Sequence, residues 1–138
     1  MDAFTRLATQ HPLIFVHVLA ALGTLVLGAG LLARRKGTAL HRTWGRAWVL
    51  LMASVVISSA FIRGTHLPNV HGVTPIHLLT LVVALYLPRA VMHARHGRNA
   101  EHRAAMRRLY IGGCIVAGAF ALLPSRFLGD LLWHALAA

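Results

Sequence analysis

Four apolar stretches, separated by short polar segments, constrain this chain more than any other feature. The first covers 12–33 and has no charged residue, and the others cover about 44–62, 76–92 and 107–123. A helix that crosses a bilayer needs about 20 mainly apolar residues. Charged residues make up only 12 % of the chain, against about 25 % in soluble domains. We therefore expect a single all-α domain over 1–138, an integral membrane four-helix bundle of up-down topology.

Local signals place several helix ends. Pro12 suits a first helical turn, and Thr38 or Thr43 is a candidate cap for the second helix. Pro88 lies within the third stretch, so a kink or an early end near Leu87 is expected. After the fourth stretch, residues 126–137 are apolar enough to form a short interfacial helix.

The basic residues predict how the bundle is oriented. Eleven of the fourteen lie in the segments between stretches one and two and between stretches three and four, or at the ends of the stretches that border those segments. Short loops rich in Lys and Arg stay on the cytoplasmic side, so both termini are expected on the non-cytoplasmic side. The formal net charge of +11 then reflects loops held against anionic lipid, and nucleic acid is not an expected partner.

Few polar groups lie inside the apolar stretches. Ser54, Ser58 and Ser59 are the polar groups of the second stretch, and each can bond back to its own helix or across to a neighbour. The acidic residues are Asp2, Glu101 and Asp130, none of them in a helix core, so transport on buried carboxylates is not expected. Hydrolase motifs are also missing. The lone Cys114 is interpreted as a small apolar core residue.

Four of the ten histidines follow a pattern. His17 and His77 lie near the starts of the first and third helices, on the outer side of the predicted bundle. His41 and His102 precede the second and fourth helices, on the inner side. In a square bundle these are the two diagonal pairs, and each pair lies at one level of the membrane.

That pattern suits haem, because the iron of a b-type cytochrome takes one neutral imidazole from each of two facing helices. We therefore predict haem b, one or two groups, held by His17 with His77 and by His41 with His102. The order of the four histidines resembles that of cytochrome b561. The resemblance implies an electron-transfer protein rather than a hydrolase or transferase, with quinone or a redox protein complex as partner.

Other interpretations of these residues stay open. The inner histidines can be wet interfacial residues, and Arg42 and Arg46 can hold a haem propionate, an anionic lipid headgroup or simply mark the cytoplasmic side. Met52 and Met106 are weaker candidate ligands, for haem of mixed ligation or for Cu(I). The chain can also be a non-catalytic accessory subunit of a larger membrane complex, or form an oligomer.

Several sequence stretches resemble the bacterial membrane family DUF2306, which has no assigned function. The matching stretches are 11–22, 34–48, 50–62, 74–81, 95–113 and 122–126. Ser125 stands where that family has a glycine. All four histidines singled out above fall inside these stretches. The resemblance implies a four-helix protein of the bacterial inner membrane.

Overall fold

The computed structural model describes residues 3–62, 75–124, 126, 128–130 and 133–134. The helices are α1 (Ala3–Gln10), α2 (Pro12–Ala33), α3 (Ala39–Phe61), α4 (Pro75–Arg95), α5 (Asn99–Tyr110) and α6 (Ala117–Ala121). A π-helical segment, Ile111–Val116, joins α5 to α6, so residues 99–121 form one continuous fourth spanning helix. Within the described residues, α2, α3, α4 and this fourth helix are each long and apolar enough to cross a membrane. The prediction of an all-α protein with four spanning helices is confirmed.

The helices reach beyond the apolar stretches that predicted them. The bounds of α2 agree with the prediction, but α3 begins earlier, at Ala39, and the fourth helix begins at Asn99. The early end at Leu87 is wrong, because α4 continues through Pro88 to Arg95. Backbone groups near a membrane must stay hydrogen-bonded, whereas basic side chains can extend into the headgroup layer. Helices therefore extend into polar sequence that a hydropathy argument assigns to loops.

Two glycine turns close one end of the bundle, which we call the basic end. Gly37, at φ 84°, and Gly97, at φ 70°, adopt the left-handed conformation that glycine tolerates without strain. Thr38 follows the first turn, and its hydroxyl accepts the backbone N–H of His41 at 3.0 Å. Thr38 is therefore the cap of α3, whereas the Thr43 hydroxyl donates to a carbonyl within the helix.

Consecutive spanning helices are antiparallel neighbours. On α2 and α3, His17 contacts Ser58 and Thr24 contacts Trp48, so residue numbers fall on one helix as they rise on the other. The α4 helix lies against α3 and α5, and the fourth helix returns to α2, where Tyr110 meets it. The diagonal pairs are thus α2 with α4 and α3 with α5.

The centre of the bundle is held by a close approach at Gly28. The Trp48 indole N–H donates to the Thr24 carbonyl at 2.9 Å, and the Tyr110 hydroxyl donates to the Leu25 carbonyl at 3.1 Å. A Cβ on Gly28 would lie 2.6 Å from the Tyr110 ring and 2.7 Å from the Trp48 indole nitrogen. The missing side chain therefore exposes the α2 backbone to both aromatic groups.

The buried apolar core surrounds this contact and is small. It consists of Trp48, Met52, Val83, Leu87, Ala90, Leu109 and Cys114. Many large apolar side chains instead face outward; Val26, Phe61 and Leu50 are 73 %, 70 % and 69 % exposed. Lipid tails cover such a surface, so the helices gain little from the hydrophobic effect when they associate. Tight packing and interhelical hydrogen bonds must hold them together.

The stretch expected to form an interfacial helix, 126–137, is described only in part. Residues 128–130 and 133–134 are helical, and the Asp130 N–H bonds to the Arg126 carbonyl at 2.7 Å. The Trp133 indole N–H donates to the Leu122 carbonyl at 3.1 Å, so the tail folds back against the end of the fourth helix. The rest of that prediction lies outside the described residues.

Candidate functional site

His41 and His102 lie at the same end of the bundle, the basic end. Both were expected to precede their helices, but His41 lies in the first turn of α3 and His102 within α5. The two half-buried side chains lie within electrostatic range of each other, and Lys36 lies within the same range of His41. The earlier start of both helices places these two residues on helical backbone near the two glycine turns.

The position of the His102 proton follows from its partner. Nδ1 of His102 lies 2.8 Å from the carbonyl oxygen of Ala90, on α4. A carbonyl oxygen only accepts hydrogen bonds, so Nδ1 carries the proton, and in the neutral ring Nε2 keeps its lone pair. Metal-binding histidines are typically held in this way by a hydrogen bond on the other nitrogen.

His41 differs from His102 because one of its ring nitrogens has no partner. Its Nδ1 is buried and makes no hydrogen bond within the part of the chain that the structure describes. A buried polar atom without a partner costs about 1–3 kcal/mol, and such atoms are rare in folded proteins. An acceptor or a Lewis acid bound beside His41 would remove that cost.

At the opposite end, Ser58 orients His17. His17 Nδ1 lies 2.8 Å from the Ser58 hydroxyl oxygen. That hydroxyl is already 2.6 Å from the Ser54 carbonyl, so its proton is directed there and its oxygen accepts from His17. Like His102, His17 is therefore protonated at Nδ1 and keeps a lone pair on Nε2.

His77 occupies the first turn of α4, where its side chain is half-buried. It lies on the helix diagonal to the one that carries His17, as the sequence predicts. The interhelical partner of His17 in the structure is Ser58 of α3. Sharing of an iron by His17 and His77 therefore stays a prediction.

The remaining candidate residues divide between the surface and the core. Arg42 is exposed at the basic end, and its guanidinium donates to the Gly37 carbonyl at 3.1 Å; Arg46 is exposed on the next turn. Met52 is 1 % exposed at the centre of the core, and Met106 packs against that core. The packing accounts for both methionines as apolar side chains, whereas the arginines stay available to an anion.

The serines of α3 behave as the sequence predicts. Ser54 bonds back to the Leu50 carbonyl at 3.0 Å, whereas Ser59 bonds across to Thr80 of α4 at 2.9 Å. The Ser58 hydroxyl donates to the Ser54 carbonyl of its own helix and accepts from His17 of α2, so it links the two helices.

Sequence reasoning missed the polar contacts at the centre of the bundle. Thr24 is 2 % exposed, its hydroxyl donates to the Ala21 carbonyl at 2.7 Å, and its carbonyl accepts from the Trp48 indole. Cys114 lies in the π-helical segment, a helix distortion often found at functional sites. The sequence feature that could have indicated these contacts is Thr24, a polar residue in an otherwise apolar stretch that lies one helical turn before Gly28.

Among the described residues, no group of three or more His, Cys, Asp and Glu side chains is placed to hold a metal ion. Within that part of the chain, these residue types offer at most two such donors at any one place. Two imidazoles fit an iron whose other four ligands belong to a porphyrin. They do not complete the tetrahedral set of a structural zinc site.

Comparison with protein families decides the family. The model of DUF2306, described as a predicted membrane protein, matches residues 14–132. The chain belongs to the DUF2306 family. No curated protein and no solved structure matches it. The DUF2306 match spans all four helices and includes His17, His41, His77 and His102, and it assigns no activity to them.

Proposed function

We propose that this DUF2306 protein is a b-type membrane cytochrome, with haem b bound at the basic end between His41 and His102. One observation carries the proposal: His41 and His102, on diagonal helices, lie at the same end of the bundle, and the buried Nδ1 of His41 has no partner among the described residues. A second haem between His17 and His77 completes the proposal. The basic end faces the cytoplasm of a bacterial cell, and the protein spans the inner membrane.

The state of the side chains supports the donor set. His102 is held by Ala90, and His17 by Ser58, each with Nε2 left as a donor to a metal. His41 contributes a buried nitrogen that lacks a partner among the described residues. Iron with two neutral imidazoles is the usual arrangement of b-type electron carriers.

Arg42 and Arg46 at the basic end are suited to bind the carboxylate groups of a haem. Its propionates are anions, and guanidinium groups bind carboxylates through short, charge-assisted hydrogen bonds. Arg42 follows His41 directly, its guanidinium is fixed by the Gly37 carbonyl, and Arg46 stands one turn further on. These two side chains would hold the propionates toward the headgroup layer.

Haem iron between two imidazoles supplies one-electron transfer. His102 and His17 would each offer the iron an imidazole whose orientation a hydrogen bond already fixes. His41 and His102 are only half-buried, which leaves the basic end accessible to a quinone or a redox protein. With a haem at each end, electrons would pass across the membrane.

A reduced-minus-oxidised absorbance spectrum of protein produced with ample haem tests the proposal. We expect the sharp α-band of a bis-imidazole haem and two haems per chain. His102→Ala and His41→Ala should each lower the haem content by about half. His96→Ala is the matched control, because His96 is exposed at the same end and bonds only within its own helix turn; it should bind haem fully.

Wild-type protein without a haem band contradicts the proposal. In that case fixed partners that co-purify would favour an accessory subunit, and copper found by elemental analysis would favour a Cu(I) protein. Equal loss of haem in His96→Ala and His102→Ala would also contradict the assignment of the ligands.

A further inference from the structure

A basic groove crosses the surface where the end of α2 meets α5. Its volume is about 400 Å³, and its walls are Lys36, Ala100, Arg103, Ala104 and Arg107. On α5 these residues follow one another at spacings that place them on one helix face. The alanines leave room between the longer basic side chains, so the groove has an apolar floor and a cationic rim.

Arg103 and Arg107 belong to α5, and Lys36 lies in the turn that follows α2. Among the described residues, no carboxylate lines the groove. The Lys36 ammonium donates to the Leu32 carbonyl at 2.8 Å, which holds it over the end of α2. Arg103 is fixed through Nε, which donates to the Asn99 carbonyl at 3.3 Å. Three positive charges held within one groove suit a phosphate, whose oxygens accept several charge-assisted hydrogen bonds.

The apolar surface beside the groove indicates where that phosphate comes from. Leu25 and Leu32 are seven residues apart and so lie on the same side of α2, and Lys36, in the turn after α2, bonds back to the Leu32 carbonyl. Both leucines are exposed, at 38 % and 36 %, so they form an apolar strip on the outer surface of this spanning helix. An apolar strip that ends in a cationic groove matches a lipid, whose acyl chain follows the strip while its headgroup enters the groove.

We propose that this groove binds the phosphate of an anionic phospholipid in the leaflet at the basic end. The groove adjoins the histidine couple, because Lys36 lies within electrostatic range of His41. His102 bonds to Ala90 on α4, whereas Arg103 and Arg107 line the groove beside the end of α2. Arg103→Gln with Arg107→Gln, which keeps Lys36 and both histidines, should therefore leave the haem spectrum intact, and loss of the histidines should leave lipid binding intact.

Native mass spectrometry of the full chain, released from nanodiscs that contain phosphatidylglycerol and phosphatidylcholine, tests the proposal. We expect one phosphatidylglycerol to remain bound to the wild type. Combined Lys36→Gln, Arg103→Gln and Arg107→Gln should weaken its retention about tenfold or more, since each basic residue near a membrane surface contributes to anionic lipid binding. Arg103→Lys with Arg107→Lys should keep most of it, because the charges remain.

The matched control is Arg35→Gln, Arg95→Gln and Arg108→Gln, which removes the same charge from exposed positions at the same end, outside the groove. It should retain the lipid. Equal losses in the two triple variants would overturn the proposal in favour of diffuse attraction. A second arm adds inorganic phosphate to protein in phosphatidylcholine alone. The lipid assignment would be overturned if phosphate protected the groove arginines from chemical modification in this second arm while no phosphatidylglycerol was retained in the first arm.

Discussion

The centre and the basic end of the bundle are built in opposite ways. At the centre, Trp48 and Tyr110 reach the backbone of α2 over Gly28, and both donors are satisfied. At the basic end, His41 has a buried nitrogen without a partner in the described structure. The candidate binding residues at this end are half-buried, as His41 and His102 are, or exposed, as Arg42 and Arg46 are. The two aromatic donors at the centre have hydrogen-bond partners, whereas a buried ring nitrogen at the basic end has none among the described residues.

From this difference we expect the centre to determine the stability of the bundle and the basic end to determine ligand binding. Helices in lipid associate through close packing and hydrogen bonds, and both are concentrated around Gly28. A ligand site needs donors that the protein itself does not satisfy, and those lie around the inner histidine couple. Substitutions at the centre should therefore change unfolding, and substitutions at the end should change ligand binding.

Gly28→Ala should have the largest effect on stability. The new methyl group would overlap the Tyr110 ring and the Trp48 indole, and overpacking of a tight core costs about 1–3 kcal/mol. Thermal unfolding in detergent measures it. Gly30→Ala is the control, because a Cβ there meets nothing within 4 Å; its stability should stay the same or rise slightly. Equal destabilisation by both would contradict the close approach at Gly28.

If haem binds as proposed, protein produced without it should loosen at the ends of the bundle and not at its centre. We expect hydrogen exchange of the backbone at 39–42 and 99–103 to speed up by about tenfold, because local unfolding there is no longer opposed by a bound ligand. Exchange around Thr24 and Trp48 should change little. Uniform loosening of both regions would show that the centre and the end are not independent.

Trp48→Phe should destabilise the bundle by less than Gly28→Ala, about 1 kcal/mol. It removes the hydrogen bond to the Thr24 carbonyl but keeps an aromatic ring in the core. The control is Trp44→Phe, since Trp44 is 41 % exposed and lies beneath the Arg34 guanidinium at the basic end. Chemical unfolding should rank Trp48→Phe as clearly the more harmful of the two.

Ser58→Ala should have the smallest effect on stability, about 0.6 kcal/mol, with a clear effect on His17. The ring loses one acceptor for its Nδ1 proton, so nitrogen NMR should detect more of the Nε2-protonated form. Ser54→Ala is the matched control, because the Ser54 side chain bonds only to the Leu50 carbonyl of its own helix. An unchanged tautomer in Ser58→Ala would refute the role of Ser58.

Much of the candidate site could be predicted from the sequence, but its contacts could not. The choice of His17, His41, His77 and His102 came from their levels along four apolar stretches, which are visible in the chain. Whether two rings meet depends on how each helix is rotated about its axis. The partners of His17 and His102, Ser58 and Ala90, therefore emerged only in the folded bundle.

The sequence by itself determined the number of spanning helices, the all-α class, the family and the Pro12 start of α2. Each of these follows from a local signal: the apolar length that a bilayer demands, a residue with a fixed φ, or an ordered set of motifs. Only the tertiary structure decided the contacts of Trp48 and Tyr110 over Gly28, the π-helical segment and the hydrogen-bond partners of His17 and His102. In lipid both faces of a helix can be apolar, so hydropathy does not reveal which face turns inward.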